Sequence, residues 1–261
     1  MQNTVILDKK NTIATITFNA AEKKNAFNIE LARDFAHALD DATNDATIRA
    51  IVLRANGDIF MAGGDLKLFF ANRDNMIGAL KELSDYVIKI TTLFENSNKP
   101  IVAAVHGAVA GIGFSFMLCA DLVIAQQGTQ LTTAYAHIGL TPDGGISYWL
   151  PRIVGTKKAA ELLLLSEPFD AQKALELGLV NWVVPKDQFE QQIDTLMQKL
   201  AHGPTSVYAK IRTLLQKSCT DSFKEQVLAE LEAFAQSTQT EDFQHGINGF
   251  INKKRPEFVG R

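Results

Sequence analysis

The sequence predicts an α/β fold, with parallel strands joined by helical crossovers and followed by a stretch made only of helices. Three observations carry this reading. Short, nearly continuous apolar runs rich in Val and Ile lie at 50–55, 101–105, 122–125 and 179–184, as in strands buried on both faces. Helical patterns separate several of them, which is the order of strand-crossover-strand units. From about 188 to 252 only helical patterns remain, with turns at Gly203-Pro204 and 217–221.

Taken in order, 12–18 alternate, with Ala14, Ile16 and Phe18 on one face and Thr15 and Thr17 on the other, and 5–7 can pair with them as a hairpin. Leu31, Phe35, Ala38 and Leu39 then form a helical stripe. Asn28 is placed to cap that helix, Glu30 suits its first turn, and the pattern ends near Asn44. Residues 101–120 contain no Asp, Glu, Lys or Arg and are about long enough to cross a bilayer. Pro100 precedes them and Gly107, Gly111 and Gly113 interrupt them where a strand should turn into a helix, so they read as buried core. No fixed repeat appears. The chain divides into a core at 1–187 and a helical region at 188–261.

At 261 residues and 46% apolar composition the chain can fill a sizeable core. Its 26 basic and 29 acidic residues are scattered and the net charge is -3, which argues against nucleic acid or an anionic membrane as partner. A phosphate-bearing ligand must therefore be held locally. Cys119 and Cys219 lie far apart with no Cys-x-x-Cys pair, which fits a reducing cytoplasm. The first ten residues carry Asp8, Lys9 and Lys10 and do not read as a secretory signal.

Three constellations could carry chemistry. Phe60-Met61-Ala62-Gly63-Gly64-Asp65-Leu66 places two glycines after a buried strand, where backbone N–H groups are exposed to a ligand; it is also an ordinary turn capped by Asp65. The run from His106 to Ser115 again passes from strand through glycines into an apolar helix. It lacks the third glycine of a dinucleotide fingerprint, the Gly-Lys-Ser/Thr of a P-loop and the spacing of a hydrolase elbow. The third is Gly139-Leu140-Thr141-Pro142-Asp143-Gly144-Gly145-Ile146-Ser147-Tyr148, where Pro-Asp-Gly alone is a turn signal. His106 and His137 have no partner at metal-ligand spacing, and they read, with Asp121, as structural. Tyr135 or Tyr148 could hydrogen-bond a reaction intermediate, but both read first as buried tyrosines with satisfied hydroxyls.

Together, in this order and at these separations, the motifs resemble the crotonase superfamily, also called the enoyl-CoA hydratase/isomerase family. The likeness starts at Lys24-Asn25-Ala26-Phe27-Asn28, passes through the three constellations, Leu150-Pro151-Arg152 and 174–180, and ends at Phe250-Ile251-Asn252-Lys253-Lys254. It implies a spiral of repeated strand-strand-helix turns, with a helical C-terminal region that builds trimers, often paired into hexamers. It also implies an oxyanion hole of two backbone N–H groups, at positions matching Ala62 and Ile112. The two glutamates of the family hydratases fall on Ser115 and Tyr135, neither of which is a carboxylate.

By the same resemblance, Asp143 matches the acidic residue that several family isomerases place after the proline. The activity implied is isomerisation of a 3-enoyl-CoA to a 2-enoyl-CoA through an enolate, with Asp143 as base. Phe114, Ile146 and Trp149 are candidate apolar walls for it. Coenzyme A enters as part of the substrate, with no metal or redox cofactor. Its contacts are expected from Lys24, Ala26, Phe27, Ala62, Gly63, Gly64, Asp65 and Leu66, and from Phe250, Lys253 and Lys254 lent by a neighbouring subunit. A ring-processing isomerase of phenylacetate breakdown fits the same motifs, as does an acyl-CoA binder without turnover. A hydratase fits if Glu82 or Asp85 reaches the site.

Overall fold

A computed structural model describes residues 3–261. Strands β1 (Val5–Lys10) and β2 (Ile13–Phe18) form the expected hairpin, with Val5 opposite Phe18. Ala14, Ile16 and Phe18 face inward and are fully buried. Helix α1 (Ile29–Asn44) starts where the side chain of Asn28 accepts the Leu31 N–H, and its stripe of Leu31, Phe35 and Leu39 is buried. Strand β3 (Ala50–Ala55) then pairs parallel to β2, and helices α2 (Leu66–Ala71) and α3 (Met76–Asn96) cross back to β4 (Ile101–Val105).

The next two turns of the chain each add a main-sheet strand, a short second-sheet strand and then a helix or loop. Strand β4 leads to β5 (Ala108–Ala110) and α4 (Ile112–Cys119), and β6 (Leu122–Gln126) leads to β7 (Gln130–Thr132). Helices α5 (Ile146–Val154) and α6 (Thr156–Leu165), strand β8 (Phe169–Asp170), helix α7 (Ala171–Glu176) and strand β9 (Trp182–Val184) complete the spiral. The main sheet has the order β1-β2-β3-β4-β6-β9 and the small sheet β5-β7-β8. Met61 bridges to Val109, which pairs with Leu131, so successive turns stack at the C-terminal ends of the main strands.

Both faces of the main sheet are covered, as the continuous apolar runs require. On one face, Phe18, Phe35, Phe60, Phe94 and Phe116 pack mainly edge to face with ring centroids 4.9–6.3 Å apart. On the other, Ala50, Val52, Val102 and Ile124 meet Phe189, Ile193 and Met197 of α8 (Phe189–Ala201). The charge-free stretch 101–120 is β4, β5 and α4, and α4 is apolar on every side because it is buried on every side. Among the described residues no helix is long and apolar enough to cross a membrane.

The tail carries only helices as regular structure, continuing as α9 (Thr205–Lys217), α10 (Phe223–Ser237) and α11 (Glu241–Ile251), and its last eight residues, 254–261, are irregular. Arg212 of α9 fastens it to the core: its Nε meets Asp121 Oδ1 at 2.6 Å, Nη2 donates to the Phe94 carbonyl and Nη1 to that of Ser97. Asp121 also accepts the Ile101 N–H at 2.7 Å, so its role is structural, as read.

One strand is shorter than its apolar run suggested. Leu179 and Val180 are buried, but Gly178 takes a left-handed φ of 74° and the Leu179 N–H returns to the Ala174 carbonyl. Those two residues seal the end of α7, so only 182–184 pair as β9.

Candidate active site

The three motif turns meet at the C-terminal ends of β3, β4 and β6. Gly63, with φ 100°, sits against Ala110 and Gly111; a Cβ on Gly63 would lie 3.4 Å from the Ala110 carbonyl oxygen. A Cβ on Gly111, itself at φ 53°, would lie 3.4 Å from the Gly63 Cα, an ordinary contact, so it is the left-handed backbone at both positions, and not lack of space, that calls for glycine where the first two turns touch.

The N–H of Ala62 does not face this junction, because it donates to the Lys24 carbonyl at 3.1 Å. That bond corrects the expectation that Ala62 serves as an oxyanion donor. Phe27 instead grips the turn on both sides of Gly64, donating to the Gly63 carbonyl at 2.8 Å and accepting the Asp65 N–H at 3.0 Å. In such a parallel bridge the intervening N–H points the other way, and no described residue accepts that of Gly64. The N–H of Ile112, first in α4, likewise has no acceptor among the described residues. It lies at the positive end of the helix dipole.

The third turn is pressed onto α4. Gly144, with φ 63°, has no room for a Cβ, which would fall 2.4 Å from Ile112 Cδ1 and 2.9 Å from Ser115 Cβ. Ser115 Oγ lies 2.9 Å from the Asp143 carbonyl oxygen, which pins Asp143 to the helix one turn beyond Ile112. Tyr135 donates its hydroxyl to Asp143 Oδ1 at 2.6 Å and lies 3.0 Å from Ser115 Oγ. Among the described residues Asp143 Oδ2 has no partner.

Much of Asp143 stays open to solvent, yet its carboxyl is drawn in among protein atoms. That desolvation lifts it above the usual carboxylate range, with the Tyr135 bond pulling the other way. Burial, reinforced by the neighbouring Asp143 charge, pushes the Tyr135 hydroxyl well above its ordinary value, so Tyr135 remains a donor near neutrality. The arrangement offers one carboxylate able to hold a proton, beside two N–H groups able to hold negative charge on oxygen.

Other expected residues divide. Lys24, Ala26, Phe27 and 62–66 form one continuous strip through the Ala62–Lys24 and Phe27–Gly63 bonds. Lys24 and Leu66 are exposed along it, while Phe27 is buried against Phe116, and Asp65 caps α2 by accepting the Lys67 and Leu68 N–H groups. Phe114 and Ile146 are fully buried core; Trp149 is half-buried and lines a hollow of about 710 Å³ behind the Asp143 turn with Cys119 and Ile153. Glu82 and Asp85 lie on the exposed side of α3, while Leu83 and Ile90 face the core. His106 bonds the Gly57 carbonyl, and no cluster of His, Cys, Asp or Glu among the described residues could hold a metal ion.

The chain does not bring Phe250 and Lys253 to this strip. Phe250 shares a shallow hollow with Pro204, Val207 and Phe258. The Phe258 carbonyl accepts from Arg49, which precedes β3, whereas the site follows β3 at its other end.

Sequence reading gave no role to Asn25. Its side chain is fully buried, accepts the Ala20 N–H and donates to the carbonyls of Asn56 and Ile59, tying the strip to the loop after β3. Tyr135 is buried with its hydroxyl bonded, as read, whereas Tyr148, read the same way, is exposed; the partnership of Ser115 and Tyr135 with Asp143 lies outside the sequence expectation. A polar residue inside the apolar 101–120 run was the one available signal.

Comparison with known proteins agrees over nearly the whole chain. A family model described as enoyl-CoA hydratase/isomerase matches residues 8–261. A protein named trans-2-decenoyl-[acyl-carrier-protein] isomerase, from Streptococcus mutans serotype c, is 31% identical over 258 residues, 98% of each chain. One named "probable enoyl-CoA hydratase", from Rhodobacter capsulatus, is 33% identical over 249 residues, 95% of each. The crystal structure of an enoyl-CoA hydratase from a Polaromonas species matches with a TM-score of 0.89 at 28% identity, over 97% of this chain and 99% of that one.

Proposed function

The chain belongs to the enoyl-CoA hydratase/isomerase family, and from that premise we propose that it is an isomerase moving a C=C bond of an acyl thioester from the 3- to the 2-position. The observation that supports this most is the lone carboxylate of Asp143, whose side-chain partner is a tyrosine and which is pinned one helical turn from Ile112. One carboxylate is enough to take a proton from C2 and return it to C4. Adding water asks for a group that activates the water as well as one that protonates carbon. The hydroxyls of Ser115 and Tyr135 do not supply a base near neutral pH.

In this reading the N–H groups of Gly64 and Ile112 receive the charge that develops on the thioester oxygen. Each such donor is typically worth about a hundred- to a thousand-fold in rate. Coenzyme A is part of the substrate, held along Lys24, Ala26, Phe27 and 62–66, with no separate cofactor or metal. Assembly as a homotrimer, or a hexamer of two trimers, would let Phe250 and Lys253 of a neighbouring copy complete the site. Two unpaired cysteines suit a reducing compartment such as the cytoplasm.

The test is a panel of straight-chain 3-enoyl, 2-enoyl and ring-bearing acyl thioesters. Each is offered on coenzyme A and on acyl carrier protein, the carrier in the name of the Streptococcus mutans relative. The expected result is conversion of 3-enoyl to 2-enoyl substrate, faster than any hydration. Hydration of the 2-enoyl substrate as the main reaction overturns the reading, as does turnover confined to ring-bearing substrates. Binding without product makes the protein an acyl-CoA binder.

A further inference from the structure

We propose that Tyr135 is a positioning residue: it holds one oxygen of Asp143 so that the other alone carries the proton, and Ser115 ties this pair to the helix that bears Ile112. The proposal rests on the isomerase reading above and names what makes a single carboxylate sufficient.

A free aspartate is a poor shuttle, because the torsion that swings its carboxylate is broad and nearly two-fold. Either oxygen can then face the substrate, and an acid formed at a partly open site can lose its proton to water. Here Oδ1 is taken by the Tyr135 hydroxyl at 2.6 Å, a short bond to an ionised acceptor. Tyr135 is itself 8% exposed and its oxygen is located by Ser115 Oγ at 3.0 Å. Ser115 is fully buried on α4, and its one hydroxyl proton is shared between the Tyr135 oxygen and the Asp143 carbonyl oxygen 2.9 Å away. The tether therefore grips Asp143 by side chain and main chain together, from the helix that starts at Ile112, and leaves Oδ2 as its free oxygen.

The step balances with that oxygen alone. The C2–H bond breaks, its proton forms the Oδ2–H bond, and its electron pair enters a dienolate whose charge rests on the thioester oxygen. The Oδ2–H bond then breaks as C4–H forms, the double bond settles between C2 and C3, and the carboxylate is restored. Holding Oδ2 on the line between the two carbons is the positional advantage.

Charged neighbours do not compete for this role. Burial and the Tyr135 hydroxyl act on the Asp143 carboxyl, and among the described residues no lysine or arginine forms an ion pair with it. From α4, Cys119 faces the Gly144 carbonyl as a thiol, its pKa pushed up to about 12 by burial. From α5, Arg152 lies over the Tyr148 ring, and from the 3-10 turn Ala136–Ile138 His137 is exposed.

The experiment compares wild type, Tyr135→Phe and Asp143→Asn on a 3-enoyl thioester carrying deuterium at C2, in ordinary water. It reads the fraction of deuterium recovered at C4 and the pH dependence of kcat. Tyr135→Phe removes a bond that lowers the Asp143 pKa. The acid limb should therefore move to higher pH, with a smaller share of label transferred and kcat down about ten- to a hundred-fold, the worth of a hydrogen bond to a charged group. KM should stay close to wild type.

Unchanged pH dependence and unchanged label transfer overturn the proposal, since a merely structural tyrosine would leave both alone. A loss as complete as that of Asp143→Asn also overturns it, because Tyr135 would then carry the proton itself. If Asp143→Asn keeps the wild-type rate, the isomerase reading fails and not the tether alone. Should Tyr135→Phe not fold, Ser115→Ala gives the same two readouts with the same signs and smaller amplitude.

Discussion

The three glycine turns and the last three helices are built on opposite terms. Around the turns the chain satisfies itself: Asn25, Ser115 and Tyr135 are buried and bonded, and Phe60, Phe114 and Phe116 are wholly enclosed. Helix α10 buries no residue at all, and Phe223, Phe234 and Phe250 are 87%, 71% and 86% exposed. Apolar surface concentrated in this way is a common mark of a face that meets another protein. The contrast teaches that the geometry around Asp143 is set within one chain, while the far helices leave apolar side chains that the chain does not cover itself.

The sharpest way to break that comparison is to remove a phenylalanine ring in each region. Phe116→Ala empties a site packed against Phe27, Phe35 and Phe94, on the helix that carries Ile112 and Ser115. It should cost about 3–5 kcal/mol in urea unfolding. Next in size is Gly144→Ala, which places a side chain at φ 63° and 2.4 Å from Ile112 Cδ1. Left-handed strain and overpacking each cost about 1–3 kcal/mol, and isomerisation should fall well beyond the loss of stability because Asp143 is displaced.

The pH profile probes the same region without a mutation. Desolvation raises the Asp143 pKa, and only its ionised form can accept a proton. The rate should therefore rise with pH through a limb lying above the ordinary carboxylate range, and a limb at or below that range contradicts the geometry. The smallest effect is expected for Phe234→Ser. Stability of the isolated chain should change by no more than about 0.5 kcal/mol, while light scattering should show a lower assembled mass if this face joins subunits.

Much of this was legible because it is local. The Asn28 cap, the alternation of β2 and the apolar runs of β3 and β4 each depend on neighbours a few residues away. Strands β5, β7 and β8 span only two or three residues and carry too short a pattern to register. Within the site the motif turns could be found, yet the free N–H within the first turn could not. That depends on a distant segment, in which Lys24 takes the Ala62 N–H and Phe27 bonds the turn on both sides of Gly64. The tether on Asp143 is hidden for the same reason, since Ser115 lies 20 residues from Tyr135 and 28 from Asp143.

The most direct measurement is a comparison of Asp143→Asn with wild type, by thioester affinity in calorimetry and by single-turnover isomerisation. Asparagine keeps the shape and a hydrogen-bond acceptor for Tyr135 but cannot hold the transferred proton. Affinity should persist while the rate falls at least about a hundred-fold, the low end for removal of a general base. A variant that binds and turns over like wild type would contradict the assignment of Asp143 as the proton carrier.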